Sequence, residues 1–211
     1  MKIDFVSDVA CPWCAIGLAS LEIALSRLRG EVSAEIHFQP FELNPGMPPE
    51  GEDLLEHLAR KYGSSREQLV ASQVMLRERG KAVGFDFGER KRVWNTFDAH
   101  RLLHLAGLEG RQRELKHALL SAYHGRGENP GDPAVLLSCA REAGLEEGLA
   151  REVVESDRYA REVRDAEATW QKLGIRSVPS IVVDDRHLIV GGQPPEVFEE
   201  ALQEIAKEGT A

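Results

Sequence analysis

The chain has 211 residues, 42% of them hydrophobic, and a formal net charge of -9 from 35 acidic against 26 basic side chains. That is enough to bury a core without a disulfide scaffold, as one large domain or as a domain carrying an insertion. The acidic balance argues against a nucleic-acid backbone or an anionic membrane surface as the main partner, and no apolar stretch reaches the length of a membrane span.

Met1-Lys2 leads straight into a strand, with no charged, apolar or small-residue leader pattern, so the expected location is cytoplasmic. Residues 3 to 7 are β-branched and aromatic and read as that strand. Cys11-Pro12-Trp13-Cys14 follows and opens a helix marked by Ile16, Leu21, Ile23, Leu25 and Leu28, ending near Gly30. Two cysteines bracketing two residues at a strand-to-helix junction read as a thiol–disulfide pair. Pro12 suits the first helical turn, where a missing N–H costs nothing, and the Cys14 side chain then folds back toward Cys11. Unpaired N–H groups and the positive end of the helix dipole favour a thiolate at Cys11, the expected nucleophile. A zinc site needs a second pair of ligands, and the third cysteine, Cys139, stands alone. Two unrelated structural thiols would have no need of this spacing. In a reducing compartment such a pair is catalytic or redox-sensing.

Glu35 to Phe38 alternates as a second strand, parallel to the first by crossover logic. Phe41 to Pro49, rich in proline, reads as a loop carrying exposed apolar groups; Phe41 and Met47 either extend an apolar rim or anchor the loop. From about Asp53 to Leu173 the pattern is helical, with breaks at 84–88 and 125–131. Ser64 with Glu67 predicts a capping box, and Asp132-Pro133 a helix start. Ala99, Leu102, Leu103 and Ala106 form one apolar stripe and Leu115, Leu119 and Ala122 another, both assigned to core. Tyr159, Val163, Ala166, Trp170 and Leu173 predict one buried face of a long helix ending at Gly174. Val178-Pro179 then leads into Ile181 to Val183 and, across Asp184 to Arg186, into His187 to Val190, a hairpin. Gly191-Gly192 is a turn, lacking the spaced glycines and lysine of a phosphate loop. A last amphipathic helix carries Val197, Phe198, Ala201, Leu202 and Ile205 on one side. A proline opening a strand beside the dithiol fits a cis Val-Pro bond, leaving its neighbour's backbone free to pair with an extended substrate.

The fold class is therefore α/β: a thioredoxin-like fold, residues 1–50 and 158–211, with a large inserted all-helical domain, residues 51–157. The segments Asp8 to Cys14, Phe41 to Pro45, Asn95-Thr96 with Ala99 to Leu102, and Gly174 to Pro179 resemble the DsbA-like thioredoxin-fold oxidoreductases, and among them the FrnE subgroup. The resemblance spans Lys2 to about Ile205. It implies that Cys11 attacks, Cys14 resolves and Pro179 is a cis-proline facing them, with Pro12, Trp13 and Val178 meeting the substrate. No metal or nucleotide cofactor is implied; glutathione is a possible redox partner, and the substrates are protein or small-molecule disulfides and dithiols. Periplasmic DsbA has a histidine between its cysteines, so Trp13 implies a less oxidising potential. Some FrnE proteins have a second cysteine pair near the C-terminus; this chain has none after Cys139.

Two alternatives stand beside this reading. The 2-hydroxychromene-2-carboxylate isomerases and kappa-class glutathione transferases share the architecture and use glutathione, with a serine matching Cys11. A non-catalytic, chaperone-like binding module is the other, and the chain is compatible with a monomer or a homodimer. Cys139, with Leu136, Ala140 and Ala143 on one helical face, is assigned to a buried inert thiol. His100 and His104, one turn apart, lack the further ligands of a metal site. His100 is assigned to a helical contact near the cleft, and Trp13 to a solvent-facing rim.

Overall fold

The computed structural model describes residues 1–208. Strands β1 (Lys2–Ser7), β2 (Glu35–Pro40), β5 (Ser180–Val183) and β6 (His187–Val190) form a mixed sheet in the order β2-β1-β5-β6. β1 runs parallel to β2, with Lys2 opposite Glu35, and antiparallel to β5, with Ile3 opposite Val183. β1 is thus central, and its last five residues are buried, the polar Asp4 and Ser7 with the apolar Ile3, Phe5 and Val6.

Helix α1 (Pro12–Arg27) lies on the sheet against α9 (Pro195–Glu208). Between β2 and β5 run a two-stranded ribbon, β3 (Glu52–Asp53) with β4 (Arg92–Val93), and helices α2 (Leu54–Tyr62), α3 (Arg66–Ala82), α4 (Phe97–Leu108), α5 (Gln112–Leu120), α6 (Pro133–Glu142), α7 (Glu147–Val154) and α8 (Ala160–Lys172). The turn Ser121–Gly125 after α5 is a π-helix. The ribbon adds to the helical insertion read from sequence; strands of two residues are too short to show alternation.

Two apolar cores meet at the dithiol. Phe5, Leu18, Leu21, Phe38, Ile181, Phe198 and Leu202 fill the sheet core, which also contains Cys11 and Cys14. Leu102, Leu115, Leu119, Leu136 and Val153 fill the helical core, which takes in Val9 and Ala10. Each fully buried leucine or phenylalanine contributes about 1.5–3 kcal/mol, so the loop before Cys11 is anchored from both sides.

Three local expectations need correction. The capping box is formed by Ser65 and Gln68, one residue later than Ser64 and Glu67: Gln68 N donates to Ser65 Oγ at 3.3 Å and Ser65 N to Gln68 Oε1 at 2.8 Å. Gly63, at φ +66, ends α2, so the next helix starts at Arg66. The loop after β2 does not expose its apolar groups: Phe41 packs with Val6, Trp170 and Ile175, and Met47 with Leu54 and Val93. Proline content shows that a segment is irregular, not what covers it. Leu173 lies past the end of α8 and is 68% exposed, so the buried face stops at Trp170.

Candidate active site

Cys11 is the N-cap of α1, with extended backbone and no side-chain cap, and Pro12 fills the first helical position. Cys11 N donates to Asp8 O at 3.2 Å and Cys14 N to Cys11 O at 3.1 Å, so a tight turn delivers both thiols to the helix start. Both are reduced. Cys11 Sγ lies 3.5 Å from Val178 O, and the Val178-Pro179 bond is cis. Close approach of α1 to Pro179 explains Gly17, where a Cβ would meet Pro179 Cγ at 3.1 Å and Gly192 Cα at 3.2 Å. At Gly192 a Cβ would lie 2.8 Å from Trp13 O.

Cys14 is fully buried, whereas Cys11 forms part of the wall of a cleft of about 840 Å³. Trp13, Phe41, Leu43, Leu58 and Leu76 give the cleft an apolar lining, and Lys61, Arg90 and Arg176 add cations. Pro12 and Val178 line the same cleft. Trp13 is half-buried, packing on the sheet core while facing the cleft, so it is not simply a solvent-facing rim. Burial, with the neighbouring Cys11 sulfur, pushes the Cys14 thiol well above its ordinary pKa. The two thiols are therefore unequal: Cys11, 4% exposed, reaches the cleft wall at a helix N-terminus, and Cys14 has no exposed surface. Such a pair can carry out stepwise thiol–disulfide exchange.

Three polar residues that sequence reasoning gave no role sit around this pair. Asp8 is buried; its Oδ1 accepts from Ala10 N at 3.0 Å and Thr96 Oγ at 2.8 Å, and its Oδ2 from Leu43 N at 2.7 Å. His100 Nε2 stands 3.5 Å from Oδ1. Burial would raise the Asp8 pKa, but His100 and the backbone donors outweigh it and hold the carboxyl below its ordinary value. Asp8 thereby ties the dithiol loop to α4 and to the loop after β2. His124 places Nε2 2.8 Å from Val9 O, and burial, with Arg90 nearby, holds its pKa well below the ordinary value. The ring is neutral at pH 7 and donates through Nε2. Lys116 of α5 is fully buried.

The remaining candidates lie elsewhere. His104 stacks near the Tyr159 ring, with centroids 4.7 Å apart, and both His100 and His104 border a separate cavity behind β2. Among the described residues no three His, Cys, Asp or Glu side chains are grouped to hold a metal ion. Cys139 is buried in the helical core, and burial pushes its thiol up to about 11. Alkylation of Cys139 at neutral pH is expected only on unfolding, and Cys139→Ser is expected to leave exchange unchanged; mass-resolved labelling with and without denaturant checks both.

A four-stranded mixed sheet, a dithiol at the start of the helix following its first strand and a Val-Pro segment against the attacking sulfur define the thioredoxin class with an insertion. Residues 2–203 match the DSBA-like thioredoxin domain, and the chain belongs to that family. It is 36% identical to the probable DsbA oxidoreductase SCO1869 from Streptomyces coelicolor, with a TM-score of 0.92, covering 99% of this chain and 90% of that one. A 2-hydroxychromene-2-carboxylate isomerase shares the fold at 15% identity and a TM-score of 0.74, covering 100% and 98% of the two chains. The cytosolic disulfide reductase DsbM from Pseudomonas aeruginosa, in its structure with GSH, does so at 18% identity and 0.66, covering 98% and 100%. No described helix is long and apolar enough to cross a membrane.

Proposed function

We propose that this chain is a thiol–disulfide oxidoreductase in which Cys11 attacks and Cys14 resolves. The observation that carries the reading is the inequality of the two thiols: Cys11 borders the cleft at the N-terminus of α1, and Cys14 is sealed behind it. Cys11 attacks one sulfur of a substrate disulfide; the substrate S–S bond breaks and its other sulfur leaves with the electron pair. Cys14 then attacks Cys11, forming the internal disulfide and releasing the second substrate sulfur; the reverse sequence oxidises a dithiol. Pro12, Trp13 and Val178 line the cleft where the substrate would lie, with Trp13 supplying apolar contact and the Val178 backbone a hydrogen-bonding edge, while Pro179 stands behind Val178 against Gly17 of α1.

We assign the chain to the FrnE subgroup on its four sequence segments, with residues 51–157 as an insertion into a thioredoxin unit made of 1–50 and 158–211. A cleft of about 840 Å³ with Lys61, Arg90 and Arg176 among its lining groups suits a glutathione-sized disulfide carrying carboxylates. The DsbM structure with GSH lends this support, and its cytosolic setting accords with a reducing compartment for this chain. The isomerase-like fold favours a second reading, glutathione-dependent isomerisation, in which Cys14 would be dispensable.

A trapping experiment tests the proposal. Cys14→Ser mixed with glutathione disulfide is expected to accumulate one glutathione on Cys11 by intact mass, while the wild type passes on to the Cys11–Cys14 disulfide. A variant that takes up no thiol adduct contradicts the reading; saturable glutathione binding with isomerase activity that survives Cys14→Ser supports the second one.

A further inference from the structure

The chain leaving α5 does not continue in α-helical register. Arg126 N donates to Ser121 O at 3.0 Å, a bond spanning five residues, and in this wide turn three consecutive residues, Ala122, Tyr123 and His124, have no exposed surface. Single turns of this kind are rare and recur at functional sites. Tyr123 pins the turn to the ribbon, its hydroxyl donating to Arg92 O at 3.1 Å. His124 sits in an aromatic cage, its ring centroid 4.7 Å from that of Tyr123, 5.7 Å from Phe87 and 6.4 Å from Phe85. Gly88 N donates to His124 O at 2.9 Å, and a Cβ at Gly88 would lie 1.9 Å from Gly125 O, so the loop carrying Phe85 and Phe87 presses directly on the turn.

One side-chain hydrogen bond leaves this cage: His124 Nε2 donates to Val9 O at 2.8 Å. Val9 is fully buried, and among the described residues no other donor reaches its carbonyl. The N–H of the same peptide unit, that of Ala10, donates to Asp8 Oδ1 at 3.0 Å. One peptide plane is thus gripped at both ends, and the next residue along the chain is Cys11. The second ring nitrogen of His124, Nδ1, is buried without a hydrogen-bond partner. A phenylalanine in the same cage would avoid that cost, so the bond to Val9 is what the imidazole contributes here.

We propose that His124 is a positioning residue for the exchange reaction: by holding the Val9 carbonyl it fixes the turn that aligns Cys11 for attack by Cys14. The inference rests on the exchange reading above. In the resolving step Cys14 gives its proton to water, and its thiolate attacks the Cys11 sulfur of the mixed disulfide. The Cys11–Cys14 bond forms, the bond from Cys11 to the substrate sulfur breaks, and that sulfur leaves with the electron pair and takes a proton from water. Cys14 is carried by α1 itself, whereas Cys11 is the N-cap and takes its direction from the residues before it. Alignment of the two sulfurs therefore depends on where the Val9–Ala10 plane is held. The first attack is made on a substrate that approaches through the cleft and depends less on this clamp.

The test follows formation and decay of the glutathione adduct on Cys11, by rapid quenching and intact mass, in the wild type, His124→Phe and His124→Gln. Phenylalanine fills the cage and removes the donor; glutamine places an amide N–H where Nε2 lies and gives up the ring contacts. Packing and positioning therefore predict opposite orders, since packing alone would make His124→Gln the more impaired variant. Resolution is expected to be about tenfold slower in His124→Phe than in the wild type, with adduct formation close to unchanged. His124→Gln is expected to restore most of the resolving rate. Wild-type resolution in a folded His124→Phe overturns the inference, and so does a His124→Gln that resolves no faster than His124→Phe. Should His124→Phe not fold, NMR of isotope-labelled histidine decides. The Nε2 proton of His124 is expected to stay protected from solvent exchange in the Cys14→Ser adduct as in the dithiol, and its loss in the adduct overturns the inference. A wild type that forms no adduct removes the exchange reading itself, whereas normal adduct chemistry with an indifferent His124→Phe removes only the role of His124.

Discussion

With Cys11 replaced by serine, disulfide exchange is expected to fall to the uncatalysed rate, while Cys14→Ser retains the first attack and stops at the adduct. The difference follows from position. Cys11 borders the cleft, with its sulfur 3.5 Å from Val178 O, whereas Cys14 has no exposed surface. A serine hydroxyl is a far weaker nucleophile than a thiol near neutral pH, so Cys11→Ser has nothing to begin the reaction with. Stability is expected to change little, since the two side chains are similar in size and Cys11 caps nothing with its side chain. Insulin or glutathione-disulfide reduction, measured alongside the thermal midpoint, separates loss of chemistry from loss of fold. Cys11→Ser that keeps wild-type exchange would move the nucleophile elsewhere.

The second large effect is expected at Asp8. Asp8→Asn places an amide among the donors of Ala10, Leu43 and Thr96 and removes the charge opposite His100. Breaking such a buried charged network costs about 3 kcal/mol or more. The dithiol loop and the loop after β2 lose their common anchor, so exchange falls as well. The pH dependence has a definite sign. Asp8 is held below its ordinary pKa in the folded chain, so its contribution is complete above about pH 4, where the unfolded carboxyl is also ionised. As the pH falls from there through the folded value, the unfolded chain takes up its proton first and that stability is lost. Urea unfolding at a series of acidic pH values is expected to show this loss in the wild type and a shallower one in Asp8→Asn. Equal slopes would show that Asp8 is not the group responsible.

The parts of this molecule legible in the sequence are those written in local pattern. The apolar run of β1, Pro12 at a helix start and the Val178-Pro179 segment before the hairpin each carry their own signal, and together they order the sheet. Asp184 and Asp185 take the positive φ values that the tight turn between β5 and β6 needs, at φ 50 and φ 57. What stayed hidden is tertiary. Asp8 sits three residues before Cys11, but its partners Leu43, Thr96 and His100 come from distant loops and a helix. Lys116 and His124 look like ordinary polar positions on a helix until α5 is packed against β2 and the dithiol loop. The proline-rich loop leaves open whether Phe41 and Met47 extend an apolar rim or anchor the loop, and packing against Trp170 and Ile175, and against Leu54 and Val93, makes them anchors; Tyr159, expected on a helix face, instead precedes α8 at φ 64.

Whether Cys11 and Cys14 form a working redox pair is decided by their equilibrium in glutathione buffers of graded poise, read as mass shifts after thiol alkylation. A reversible two-electron transition is expected that vanishes in Cys11→Ser and persists in Cys139→Ser, with a midpoint less oxidising than that of DsbA. Absence of an internal disulfide at every poise would contradict it.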